Sequence, residues 1–140
     1  MNTTQRSLWH GKTITLADKV DLTGQKPLRA IFRGKTFKYD RKEGWRALME
    51  DITKELYRID PDSLISAARA EQEYLISDEP VCWAVGNRQF AENYEDAWWS
   101  EIADNVYIYT KNNTNAKMEN LRTFFADCGV SCSELTIVLY

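Results

Sequence analysis

Residues 105–140 read NVYIYTKNNTNAKMENLRTFFADCGVSCSELTIVLY, and this stretch decides the fold class because strand, helix and strand signals follow one another within it. Val106, Tyr107, Ile108 and Tyr109 all favour extended backbone. The polar run Asn112-Asn113-Thr114-Asn115 then stops the strand and supplies side-chain oxygens that can cap a helix. Met118, Leu121, Phe125 and Cys128 recur at three- and four-residue steps, one apolar stripe of an α-helix. Gly129 suits the left-handed position that ends it. The chain then runs extended from Glu134 to Tyr140, with Leu135, Ile137 and Leu139 on one side and Val138 and Tyr140 on the other, so both faces of that strand are expected to be covered.

Working outward, the preceding half supplies a hairpin and two helices. Leu28, Ala30 and Phe32 alternate with Arg29, Ile31 and Arg33, a turn is expected at Gly34-Lys35, and Thr36 to Tyr39 return. From Gly44, Trp45, Leu48, Met49, Ile52, Leu56 and Ile59 fall on one helical face and Arg46, Glu50, Asp51, Lys54 and Glu55 on the other. Asp60-Pro61 ends that helix and opens a second, carried by Leu64, Ile65, Ala68 and Leu75, because proline fits a first helical position and aspartate can cap it. Val81, Trp83 and Val85 alternate like a short strand. Phe90, Tyr94, Trp98 and Ile102 are four residues apart, which predicts a helix.

Residues 1–27, broken by Gly11, Gly24 and Pro27, read as an N-terminal arm with one strand at Thr13-Ile14-Thr15-Leu16, and residues 28–140 as one domain. The expected class is α+β: a small mixed sheet with an N-terminal hairpin, packed helices and a C-terminal β-α-β unit whose strands, 106–110 and 134–140, share a sheet. With 140 residues, 44% of them hydrophobic, one such domain can bury an ordinary core.

Charge is distributed unevenly. Residues 1–58 hold 13 Lys and Arg against 7 Asp and Glu, and residues 59–140 hold 5 against 14, within a net charge of −3. Two surfaces follow. Between Lys26 and Arg46 lie eight bases, including Arg29, Arg33, Lys35, Lys38, Arg41 and Lys42, with Phe32, Phe37 and Tyr39 among them; such a hairpin can track phosphates and stack bases. Its plain alternative is an edge guarded by charge against pairing with other chains. Between Glu71 and Asp104 lie nine acids, one base (Arg88) and the aromatics Phe90, Tyr94, Trp98 and Trp99. Because adjacent Trp98 and Trp99 cannot share a helical face, one of them is expected to point outward as an interface anchor; with Glu95 and Asp96 they would meet a partner with a basic surface. The plain alternative places these aromatics in the core.

Enzymatic chemistry finds little footing. His10 is the only histidine and lies in the arm, so a nucleophile-histidine pair would have to be built there. Cys128 and Cys132 are four residues apart, with only Cys82 and His10 left to complete a zinc site, and Cys128 sits on an apolar stripe. The acids at Asp62, Glu71 and Glu73 lack the lysine of a restriction-type nuclease site, and glycines 11, 24, 34, 44, 86 and 129 form no phosphate loop. No catalytic residue, metal or cofactor is expected. The chain shows neither a signal-peptide apolar core nor a membrane-spanning run, and its odd cysteine count suits reduced thiols, so the expectation is a cytoplasmic protein away from membranes.

The segment Ala30-Ile31-Phe32-Arg33-Gly34-Lys35-Thr36-Phe37, the helix from Trp45 to Tyr57 closed by Ile59-Asp60-Pro61, Val106 to Thr110 and the helix ending at Cys128-Gly129 together resemble a small domain of unassigned function. That domain is found free-standing or appended to bacterial proteins of the restriction type. The resemblance covers residues 28–140, carries over no site residue, and implies a setting in the conflict between bacteria and phages. The resulting expectation is a non-catalytic protein-interaction module in defence or counter-defence that uses Phe90, Tyr94, Glu95, Asp96, Trp98 and Trp99. The alternative is a nucleic-acid binder that uses Arg29, Arg33, Lys35, Lys38, Arg41 and Lys42. Either is compatible with a homo-oligomer.

Overall fold

The computed structural model describes residues 12–71, 81–83, 99–103, 106–110 and 113–140. In chain order they form β1 (Thr13–Thr15), β2 (Pro27–Phe32), β3 (Lys35–Lys38), α1 (Gly44–Ile59), α2 (Pro61–Glu71), β4 (Val81–Trp83), β5 (Trp99–Ala103), β6 (Val106–Tyr109), α3 (Thr114–Asp127) and β7 (Leu135–Leu139). The fold class is α+β.

The local signals act where the sequence puts them. Asn113 caps α3 by accepting the N–H of Ala116 at 2.8 Å. At the other end Gly129 takes φ +67°, its N–H bonds to Ala126 O at 3.1 Å and that of Val130 to Phe125 O at 2.9 Å, the doubled closure of a Schellman motif. Asp60 receives the Ser63 N–H at 3.2 Å and so opens α2 at Pro61. Along α1, Trp45, Leu48, Met49, Ile52 and Leu56 are buried, and they share one core with Met118, Leu121 and Phe125 of α3.

The sheets depart from expectation. Strand, helix and strand do succeed one another at the C-terminal end, but β6 and β7 lie in different sheets. The first sheet has the order β1-β7-β2-β3, all antiparallel, and the second the order β4-β6-β5, with β4 parallel and β5 antiparallel to β6. The slot between β1 and β2 suits β7 because both sides of that strand are covered: Leu135, Ile137, Val138 and Leu139 are all buried. Ile137 from the first sheet and Ile108 from the second enter the same core, which α1 and α3 fill. Ile14, Leu16 and Leu22 join it too, so residues 12–27 pack as part of the domain rather than as an arm.

The hairpin turn is Arg33-Gly34, not Gly34-Lys35. Both residues have positive φ, +49° and +83°, as the tight turn matching the twist of paired strands requires. Arg33 tolerates the left-handed conformation with its guanidinium over the Phe32 ring, 5.6 Å from the centroid, and bonded to Glu134 at 2.9 Å.

The helix predicted through Ile102 is also corrected: residues 99–103 are a strand. Its neighbours Tyr109 and Tyr107 oppose Trp99 and Glu101 across β6.

Candidate nucleic-acid interface

Strand alternation and register assign the hairpin's residues to two faces. Ala30, Phe32 and Ile137 turn toward the helices, and Phe32 meets Phe125 with ring centroids 5.4 Å apart. The opposite face of the first sheet carries two cross-strand rows, Thr13–Val138–Arg29–Lys38 and Thr15–Thr136–Ile31–Thr36. Arg29, Lys38, Ile31 and Thr36 are exposed, and Ile31 is the exposed large hydrophobic residue among those described.

The hairpin's bases divide by their end of the sheet. At the turn end, Arg33 pairs with Glu134 at 2.9 Å and Lys35 with Glu55 at 3.1 Å. The hydrogen bond from Arg33 holds the Glu134 carboxyl below its ordinary range. Arg33 and Lys35, both candidate contacts, are therefore already engaged with carboxylates.

At the open end, Arg29 and Lys38 are direct cross-strand partners, and neither forms an ion pair among the described residues. Like charges directly opposite one another repel. Arg41, on the loop that follows, lies over the Tyr140 ring at 4.9 Å, and the Tyr140 hydroxyl donates to Tyr39 O at 2.9 Å, which fixes the ring. Lys42 is exposed beside it. Asp40, the nearest acid in sequence, spends Oδ1 on the N–H groups of Lys42 and Glu43, at 2.9 and 2.8 Å, to shape the entry to α1. Thus Arg29, Lys38, Arg41 and Lys42 form a basic patch with one ring, while the other two candidates belong to the turn end.

The acidic aromatic candidate is only partly visible: Phe90, Tyr94, Glu95, Asp96 and Trp98 lie outside the described residues, as does His10. Trp99 is described, and its expected role as an exposed anchor is corrected. It is 6% exposed and packs edge-on against Tyr109, with centroids 5.3 Å apart and planes at 70°. The reason is that a strand, not a helix, carries it, so its side chain turns toward Tyr107 and Tyr109 while Ile102 enters the main core.

Cys128 and Cys132 are free and half-buried, and burial pushes the Cys128 thiol up to about 11, away from nucleophilic use at neutral pH. No group of three or more potential metal ligands occurs among the described residues. No described helix is long and apolar enough to cross a membrane.

Sequence reading missed two features of this end of the molecule. Lys117 is only 8% exposed although lysines are rarely buried; its place four residues before Leu121 puts it on the buried side of α3, a signal that was present. The second is a clasp on the same turn. Asn115 Oδ1 accepts the Leu22 N–H at 3.0 Å and its Nδ2 donates to Asp21 at 2.9 Å, tying the loop after β1 to α3. The bond from Asn115, then those from Thr23, hold the Asp21 carboxyl at about 2 against the usual 3.8. A depressed folded value means that this contribution to stability is present above the unfolded value and fades as pH falls through about 2. Asn115→Ala should move Asp21 back toward 3.8 in a carboxyl-carbon NMR titration. An unmoved titration would show that the clasp does not act on Asp21.

No family model, curated protein or solved structure matches this chain.

Proposed function

We propose that this chain is a non-catalytic nucleic-acid-binding module whose contact surface is the open end of the basic hairpin. The observation that supports this reading is the juxtaposition of Arg29 and Lys38 across the strand pair, beside Arg41 on Tyr140, on the sheet face away from the helices. Holding like charges side by side is unfavourable in the free protein and favourable once phosphates lie along them, because counterions are then released from the polyanion. The half-buried Tyr140 ring and exposed Ile31 offer apolar surface beside the charges, the combination that suits unstacked bases. The turn end, where Glu134 and Glu55 neutralise Arg33 and Lys35, contributes little. The setting we attach to this activity, bacterial defence or phage counter-defence, is drawn from the sequence resemblance of residues 28–140. The free thiols of Cys128 and Cys132 suit a cytoplasmic, reducing compartment.

The test is binding of single- and double-stranded oligonucleotides over a salt series. Affinity should fall steeply with salt. Arg29→Ala combined with Lys38→Ala should weaken binding to all sequences and reduce the log–log salt slope by about 1 to 2, while Arg33→Ala should change neither. Absence of binding at low salt refutes the proposal, and an equal effect of Arg33→Ala moves the surface to the turn.

A further inference from the structure

A cavity of about 360 Å³ opens where α1 and α3 begin, and Lys26, Arg46 and Lys117 are on its wall with Thr114, Asn115 and Glu43. That volume is within the range of small-molecule sites. All three cations stand at helix N-termini. Arg46 and Lys117 belong to the first turns of α1 and α3, and a Cβ placed on Gly44, the first residue of α1, would lie 3.8 Å from Lys26 Nζ. The N-terminal end of a helix already carries about half a positive charge and favours anions, so basic side chains there work against the helix dipole. Neither helix has an acid in its first turn, although Glu43 stands at the N-cap of α1. Lys117 is more than nine-tenths buried; burial first, then repulsion from Arg46 and Lys26, pushes its ammonium below the ordinary range.

The walls are also firmly built. Arg46 is held by Ser100 Oγ and the Trp99 carbonyl, both at 3.3 Å, and by Glu50 at 3.6 Å. Asn115 is tied to Asp21 and Leu22, and the Trp45 indole donates to Gln25 O at 2.8 Å. The first N–H groups of α3, at Thr114 and Asn115, have no acceptor within the helix.

We propose that this cavity binds a phosphate monoester, with the dianion held between Lys26, Arg46 and Lys117 at the first amides of α3. The remaining volume accommodates whatever carries the phosphate, either the end of a nucleic-acid strand or a free mononucleotide. Glu43, whose carboxyl is held above its ordinary range by Asp40, is the acid on the wall and works against the anion. The inference goes beyond the nucleic-acid reading and needs none of Arg29, Lys38 or Arg41.

Isothermal titration of the full chain with inorganic phosphate, a nucleoside 5′-monophosphate and an oligonucleotide bearing either a 5′-phosphate or a 5′-hydroxyl tests it. At least one phosphate-bearing probe should bind saturably. Lys117→Met, which keeps the buried volume, and Lys26→Glu, at an exposed site, should each weaken that binding about tenfold or more, as loss of a charge-assisted bond does. Glu43→Gln should tighten it. Preference for the 5′-phosphorylated strand identifies the source as a strand end; equal affinity for both oligonucleotides with binding of the free phosphates identifies a mononucleotide or phosphate. If no phosphate probe binds, or if folded Lys26→Glu binds as the parent does, the site is refuted. If the cavity is refuted in either way, salt-dependent binding of the 5′-hydroxyl strand that survives these substitutions leaves the sheet-face proposal standing.

Discussion

Replacing Phe125 with alanine should lower the free energy of unfolding by about 3 to 5 kcal/mol, as truncation of a buried phenylalanine does. Phe125 is completely buried, and its ring tilts at 54° against Phe32, so it joins α3 to the first sheet. The space left by the ring would stay empty of water, because Phe125 belongs to an apolar core that also contains Ala30, Leu121 and Ile137. The backbone carbonyl of Phe125 receives the Val130 N–H in the helix closure, a bond that the substitution leaves in place. The loss should therefore appear as a lower denaturant midpoint with an unchanged slope. A loss below about 1 kcal/mol would mean that the helix and the sheet are not held by this contact.

Trp99→Ala is expected to cost about 3 to 5 kcal/mol as well. Trp99 is 6% exposed in a small cluster with Tyr107 and Tyr109, separate from the main core, and its ring contacts Tyr109 edge-on. Such aromatic pairs add about 0.5 to 1.5 kcal/mol beyond the area they bury. The backbone beside it matters too, since Arg46 donates to the Trp99 carbonyl and so links β5 to α1. Trp99→Phe should recover most of the loss by keeping the edge-on contact. Had Trp99 been an exposed anchor, alanine there would leave stability unchanged; thermal unfolding of the variant decides between the two.

This residue also shows where sequence reading stops. The helices were legible because their signals are local: Asn113 bonds three residues ahead, Gly129 closes the helix it follows, and Asp60 caps the turn that Pro61 starts. Trp98, Trp99 and Ile102 carry no such punctuation, and four-residue spacing admits a helix or one covered face of a strand. Choosing correctly requires knowing that Tyr109 lies opposite. The same holds for the sheets. Ile108 and Ile137 are equally apolar, and nothing near either names its neighbours, so the assignment of β6 and β7 to different sheets depends on pairing partners far along the chain.

The candidate surface was half legible for a similar reason. Eight bases between Lys26 and Arg46 can be counted, but which of them a carboxylate neutralises is a long-range fact: Glu134 is 101 residues from Arg33. Register then separates Arg29 and Lys38 from Arg33 and Lys35. Lys117, over 70 residues beyond the hairpin, belongs with Lys26 and Arg46 only because α1 and α3 begin side by side.

The position of β7 has a consequence for the order in which the chain can assemble as it is made. Strands β1 and β2 do not pair with each other; each pairs with β7, whose residues follow β2 by about a hundred positions. The hairpin of β2 and β3 can close once residues 27–38 have emerged, but the open edge of β2 and the apolar side of Ala30 and Phe32 must wait through the whole interval until residues 135–139 emerge. Closing so long a loop is slow relative to local contacts. For that period the nascent chain carries an unpaired strand edge next to uncovered apolar residues, the features that recruit holding chaperones and promote pairing between neighbouring chains on one polysome.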